Sequence, residues 1–570
     1  MKKIVFISLI VLSFSIMAQE KRADFVQSRE YPQWFSDAKL GIFVHFGLYC
    51  VPSWSGKEQY AEWFYKGLIS GDSARINYQK RVFGEKFKYE DYKNIFKAEL
   101  FDANQWAELF KKSGAKYVLF TSKHHDGYCM WHSKYAKNWN SFETAPKRDF
   151  CKEITDAVRK QGLEMGMYYS LTEWTNPLYR WTQDTNISIE NYATNHLVPQ
   201  FKELIDKFKP TVLFSDGDWD HTYKELHSDE LVEYYYKVVG EKAIVNDRFG
   251  KGFNHGYLTP EYSSGILETI KPWAECRGIG RSFGLNRNED INSYKTSEEI
   301  IKHFVKLVAS GGGLTLNVGP SADGQIPLIQ QERLLDLGSW LETNGESIYG
   351  SRPFTKPFDQ KPKTKQGIDS AINFNWVRNA PQSFMSEDNF GVIWEGEFKP
   401  EKTETYTISC QADDYALAYI DNKLLIDTRQ NPSTKIMLNK DKTYKIRVEY
   451  FENTHEASIK LRIASPNQES KPIETLWKTT YNWLDTYVCY TTQGNNLYAL
   501  SYTIPEDKLT LNLEKTPPKD LKITFLDSPT LNIPYTYKDG KLHIDTSVIK
   551  YSHVKSKAVW VFKLSDYLEE

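Results

Sequence analysis

The chain has 570 residues, 40% of them hydrophobic and 26% charged, an ordinary globular composition on a length that calls for about two to four domains. A formal charge of −2 argues against a nucleic-acid footprint or a membrane-binding patch, and no run of about 18 apolar residues beyond the N-terminus suggests a membrane span. The aromatic share is high, 15% with 16 Trp and 36 Tyr, which suits sugar-stacking pockets and aromatic β-sandwich cores alike.

The first residues, MKKIVFISLIVLSFSIMAQE, place Lys2 and Lys3 before an apolar run and small residues before Ala18. This is the pattern of a signal peptide over residues 1–18, so an exported protein is expected, periplasmic or secreted. Its removal takes away two lysines and no acids, moving the formal charge from −2 to −4. No cysteine follows the cut, so a lipid anchor is not expected.

Over residues 19–355, strand-like runs alternate with amphipathic helical ones. The apolar runs are 39–47, 116–127, 164–170, 211–217, 242–250 and 314–320; helical patterns occupy 103–115, 149–162 and 297–313. In the last helix, Ile300, Ile301, Phe304, Val305, Leu307 and Val308 form one stripe. Such alternation predicts a parallel sheet, and its length fits a (β/α)8-type, TIM-like barrel better than a doubly wound sheet. No GxGxxG follows the first strand, which weakens a dinucleotide-binding reading. Polar residues collect at the strand ends: His45; His124, His125 and Asp126; Tyr168 and Tyr169; Asp216; Asn246, Asp247 and Arg248. In a parallel barrel these ends share one face, where chemistry is done.

Residues 347–366 are rich in Pro and Lys and read as a linker. Two all-β sandwich domains are expected after it, over 367–468 and 473–570, separated by the polar stretch 465–472. The six cysteines, Cys50, Cys129, Cys151, Cys276, Cys410 and Cys489, are scattered and read as buried free thiols, with no metal-ligand spacing.

The stretch TVLFSDGDWD (211–220) drives a greasy strand into acid. Side chains alternate, so Phe214 and Asp216 share a face and Asp218 lies in the loop beyond Gly217. A turn or calcium loop is the bland alternative, but the multi-ligand calcium spacing is absent. His124 and His125, adjacent on an extended strand, should point opposite ways, which argues against joint chelation and leaves hydrogen bonding to a polyhydroxylated substrate. If Asp216 is a glycosidase nucleophile, its partner acid must come from another loop. Glu62, Glu261 and Glu275 all qualify by neighbourhood, and pattern does not choose among them.

Taken together, KLGIFVHFGLYCVPSW, HHDGYCMWHSKY, GMYYS, LFSDGDW, NDRFG, RGIGRSFGLNRNE and GGGLTLNVGPSADGQIP resemble glycoside hydrolase family 29, the retaining α-L-fucosidases, over residues 25–355. The resemblance implies a nucleophile at Asp216 and an acid/base at Glu261, with Glu275 in reserve. It implies sugar binding by His45, Glu62, Trp63, His124, His125, Tyr168 and Arg248, with Phe283 against the fucose methyl. No cofactor is implied in the barrel. Two departures stand out: Trp273-Ala274 where many members have Trp-Glu, and Leu285 where a tyrosine is common. The middle β-region resembles the protective-antigen-like sandwich, some members of which hold calcium and sugar through a pair matching Asp413 and Asp414. Two turn aspartates in a domain that only packs would read the same.

The expected activity is therefore exo-hydrolysis of fucosylated oligosaccharides or glycoconjugates. A catalytically inactive exported glycan-binding protein, and a hydrolase of a related L-sugar such as an L-galactoside, are the alternatives.

Overall fold

The computed structural model describes residues 22 and 24–569, apart from 180–188, 264, 267–268, 378–379, 383–384, 386–387, 454–455, 467 and 514. The signal-peptide reading of residues 1–18 lies outside the described residues.

Seven parallel strands form the N-terminal sheet: β1 (Leu40–Val44), β2 (Tyr117–Lys123), β3 (Glu164–Ser170), β4 (Val212–Asp216), β5 (Ile244–Val245), β6 (Ala274–Gly278) and β7 (Gly313–Val318), in the order β5-β4-β3-β2-β1-β7-β6. The sheet curls until its two edges face each other, and residues 257–262 fill the gap. Parallel bridges join Asn246 to Tyr257 on one side, and Leu258 to Trp273 and Glu261 to Cys276 on the other. Tyr257 N–H donates to the Val245 carbonyl at 3.0 Å, and Cys276 N–H to that of Pro260 at 2.8 Å. Pro260 has no N–H to give, so this eighth stave cannot form a regular ladder. The expected barrel is thus present, with one irregular member.

Two cores follow from strand alternation. Phe43, Tyr117, Leu119, Tyr168, Val212, Phe214, Ala274 and Cys276 fill the barrel interior. Their neighbours Ile42, Val44, Val118, Phe120, Leu213, Leu314 and Leu316 face the helical layer. Several helices begin at capping side chains. Asp102, Asp149 and Thr296 accept backbone N–H groups at the starts of Ala103–Lys112, Phe150–Lys160 and Ser297–Ala309. The stripe expected on the last helix is buried throughout.

Residues 347–366 are not an irregular linker. Most of them belong to a 20-residue strand, β8 (Arg352–Ala371), paired antiparallel with Glu474–Gln493. That partner strand passes through both sandwiches: residues 478–483 pair with 390–395, and residues 488–493 with 496–501. One continuous sheet therefore joins two cores, one built around Trp394 and Trp477, the other around Leu511 and Phe562. β8 pairs with Glu474–Gln493 alone, and edge strands favour the Pro and Lys content that mimics a linker. The polar stretch 465–472 likewise contains a strand, Gln468–Pro472, on Ala457–Ser465. All six cysteines are buried and unpaired. No helix among the described residues is long and apolar enough to cross a membrane.

Candidate active site

A cavity of about 460 Å³ opens at the C-terminal ends of the barrel strands. Its lining includes His45, Glu62, Trp63, His124, Tyr168, Asp216, Arg248, Glu261 and Phe283, all foreseen from the sequence. His125 stands beside it, with Nε2 3.4 Å from Asp216 Oδ2.

Asp216 ends β4 with Val212 and Phe214 on the same inward face, as alternation requires. The chain then turns at Gly217 with φ +82°, where a Cβ would meet the Thr172 hydroxyl oxygen at 2.7 Å. Glycine is needed on both counts. Ser215, facing out, donates its N–H to Asn246 Oδ1, and Asn246 Nδ2 donates back to the Ser215 carbonyl, both at 2.9 Å. The Asn246 side chain thus extends the pairing of the short β5 and sets the start of the Arg248 loop.

Around Asp216, the Tyr168 hydroxyl donates to Oδ2 at 2.9 Å and Arg248 Nη1 lies 3.4 Å from Oδ1. Burial opposes the charge, but the hydrogen bond and charge of the His125 ring, the Arg248 guanidinium and Tyr168 outweigh it. The carboxyl is held well below the usual carboxylate range. Asp216 is an anion at neutral pH. Asp218 does not line the cavity.

Arg248 Nη1 also donates to Glu261 Oε1 at 2.6 Å. Because one nitrogen lies 3.4 Å from Asp216 and 2.6 Å from Glu261, those two oxygens are at most about 6 Å apart, the sum of the two distances, compatible with the roughly 5–5.5 Å of retaining glycosidases. Thr259 holds Arg248 in place, its hydroxyl accepting from Nε at 2.9 Å and its carbonyl from Nη2 at 2.7 Å. Tyr60 donates to Glu261 Oε2 at 3.3 Å. Neither Tyr60 nor Thr259 carries a sequence signal of its own; both matter through what they touch.

Glu62 is buried and accepts from Ser282 Oγ at 3.1 Å and from Gly284 N–H at 2.8 Å. Burial raises its carboxyl to about 7 despite those donors. Trp63, Trp174 and Trp219 pack ring to ring at the rim.

Two expectations are corrected here. His124 and His125 do not point opposite ways, because the strand stops at Lys123 and a turn follows, closed by Gly127 N–H on the His124 carbonyl. A register shift between Thr121 and Lys123 also moves the alternation by one residue. Lys123 is thrown outward onto Glu173 at 2.5 Å, while His124 enters the mouth. The second correction is Glu275. In β6, Ala274 and Cys276 face the barrel, so Glu275 faces away. It is fully buried, with Arg277 Nε at 2.7 Å, His303 Nε2 at 3.2 Å and the Ser263 N–H at 3.1 Å. It packs the barrel and does not line the cavity.

The pair read as a calcium site, Asp413 and Asp414, lies between the strands Glu404–Ala412 and Tyr415–Ile420. Asp414 N–H occupies Asp413 Oδ1, and Asn453 N–H occupies Asp414 Oδ2. Among the described residues no group of three or more His, Cys, Asp or Glu has the arrangement to hold a metal ion. Two of the pair's four carboxylate oxygens accept backbone N–H groups at this turn.

Comparison with known proteins gives concordant findings. The family model for alpha-L-fucosidase matches residues 13–346, and that for the PA14 domain matches 348–477. An alpha-L-fucosidase of Dictyostelium discoideum is 39% identical over 62% of this chain and 79% of its own length. The plasma alpha-L-fucosidase of Homo sapiens is 37% identical over 62% and 78%. Among solved structures, a Thermotoga maritima alpha-fucosidase in complex with a mechanism-based inhibitor is 27% identical, with a TM-score of 0.64 over 95% of this chain and 98% of that one.

Proposed function

This chain belongs to the alpha-L-fucosidase family of glycoside hydrolases, and from that premise we propose that it removes terminal α-L-fucosyl residues from glycans by retaining double displacement. The observation that supports the mechanism is the single Arg248 nitrogen between Asp216 and Glu261, which keeps one oxygen of each carboxyl group within about 6 Å of the other, compatible with covalent catalysis.

Asp216, ionised and inward-facing, attacks the anomeric carbon. Glu261 protonates the departing glycosidic oxygen and then takes a proton from the water that releases fucose, so configuration is retained. The outward, ion-paired setting of Glu275 and the Arg248 link between Asp216 and Glu261 support Glu261 over Glu275 as the acid/base. Phe43, Phe214 and Phe283 line one side of the cavity, an apolar wall for the methyl group that distinguishes L-fucose from L-galactose. Polar groups that line the same cavity, His45, His124 and Arg248, suit the ring hydroxyls. Read with the N-terminal signal, the enzyme acts outside the cytoplasm on fucosylated oligosaccharides or glycoconjugates.

The test is incubation with 4-nitrophenyl α-L-fucoside while proton NMR follows the first fucose anomer released. Early α-fucose is expected. Early β-fucose would overturn retention. Folded protein that hydrolyses neither this compound nor natural fucosylated oligosaccharides would overturn the activity and favour a glycan-binding protein.

A further inference from the structure

Behind His45, one side chain holds two parts of the cavity wall together. Asn317 on β7 pairs with Phe43 on β1, so it shares the inward face on which His45 stands two residues later. Asn317 is 1% exposed and His45 4%. The His45 Nδ1 and Asn317 Oδ1 atoms are 2.6 Å apart, and Asn317 Nδ2 donates to the Phe283 carbonyl at 2.7 Å.

The second contact decides the first. A carbonyl oxygen only accepts, so the end of the Asn317 amide at Phe283 must be its NH2 group. Turned over, the amide would set oxygen against oxygen at 2.7 Å. The end at His45 is therefore oxygen, which cannot donate, and the hydrogen between them belongs to Nδ1. A neutral imidazole protonated at Nδ1 carries its lone pair on Nε2. Ring orientation is fixed as well, by Phe43 at 4.6 Å and Phe283 at 5.0 Å between centroids.

We propose that Asn317 is a positioning residue that keeps His45 in the Nδ1–H tautomer, so that Nε2 meets the substrate as a hydrogen-bond acceptor for a sugar hydroxyl. This rests on the fucosidase reading for the identity of the sugar. Burial supports it by lowering His45 to about 4, against the Asn317 hydrogen bond and the charges of Asp216 and Glu261, with His125 acting in the same sense as burial. The other groups facing the ring are Tyr168 and His124. By tying the Phe283 carbonyl to the same amide, Asn317 sets the distance between this acceptor and the apolar wall.

The tautomer can be read without any activity. In full-length protein labelled with 15N-histidine, the His45 resonances are identified by their loss in His45→Gln. A protonated Nδ1 and a bare Nε2 at pH 7 are expected, and the reverse tautomer overturns the proposal. The kinetic test is Asn317→Asp with 4-nitrophenyl α-L-fucoside. A carboxylate still accepts from Nδ1 but favours the imidazolium, which has no acceptor to offer. It also loses the donor to the Phe283 carbonyl, a cost that is the same at every pH and does not move the acid limb. The acid limb of kcat/KM should move up by about one pH unit or more, with the loss easing on the alkaline side. Asn317→Ala should raise KM roughly tenfold or more at every pH, without that displacement. An Asn317→Asp loss that is uniform in pH, or an unchanged profile, overturns the proposal. If the wild type hydrolyses no fucoside, the functional reading fails and the NMR result still decides the tautomer.

Discussion

The two carboxylates that define the cavity come from opposite kinds of backbone. Asp216 closes a regular strand, where the pleat alone decides that it faces inward with Phe214. Glu261 rides on the irregular stave 257–262, whose place is set by isolated bridges to its neighbours and by a proline that forbids a full ladder. Nearby Glu275 sharpens the contrast. It sits on a regular strand and bridges buried Arg277 and half-buried His303, yet regularity points it away from the chemistry. A regular strand makes a residue's direction a matter of counting. An irregular one makes it a matter of what lies on either side.

The largest expected effect follows at the regular site. Asp216→Ala should lower kcat/KM on the order of 10⁴-fold with the fold intact, checked by turnover and by circular dichroism. Wild-type-like turnover would sink the nucleophile assignment. At the irregular site, Glu261→Gln should cost on the order of 10²–10³-fold on natural oligosaccharides, and less on a nitrophenyl leaving group that needs little protonation. Equal losses on both substrates would contradict an acid role.

Glu275→Gln reverses the balance. It removes the carboxylate shared by buried Arg277 and half-buried His303, so folding should weaken by about 3–5 kcal/mol. Turnover of the folded fraction should stay within about threefold of wild type, since the side chain does not reach the cavity. A stable, inactive variant would restore Glu275 as a catalytic candidate.

The smallest effect concerns Glu62, whose folded value of about 7 lies above its ordinary 4.5 because of burial. Its neutral form is the one the fold prefers. The stabilisation is whole below about pH 4.5 and is lost as pH rises through about 7. Glu62→Gln cannot ionise, so it should melt near wild type at pH 4.5 and a few degrees above it at pH 8. Equal melting temperatures at both values would contradict this.

Legibility in the sequence followed the same division. The β/α alternation, the strand-end histidines and Asp216 could be found by period and position. Glu261 was one of three neighbouring candidates until the resemblance singled it out, and Glu275 stayed in contention because a one-residue offset looks the same in a string of letters. The Pro- and Lys-rich segment was misread as a linker, since an exposed edge strand and an irregular connection use the same residues. Asn317 drew no attention, although it lies in one of the motifs that carry the resemblance.

By itself the sequence determined what local rules can carry: helix caps, strand faces, and the composition of a barrel with two sandwiches behind it. The tertiary structure decided the rest. It closed the barrel with a segment that has no strand pattern, and moved the register at Ser122 so that His124, not Lys123, enters the mouth. It also set Arg248 between two carboxylates 45 residues apart, Asp216 and Glu261. The physical reason is that periodicity is a property of one strand. A bridge, a bulge or a shared guanidinium depends on neighbours that only folding brings together.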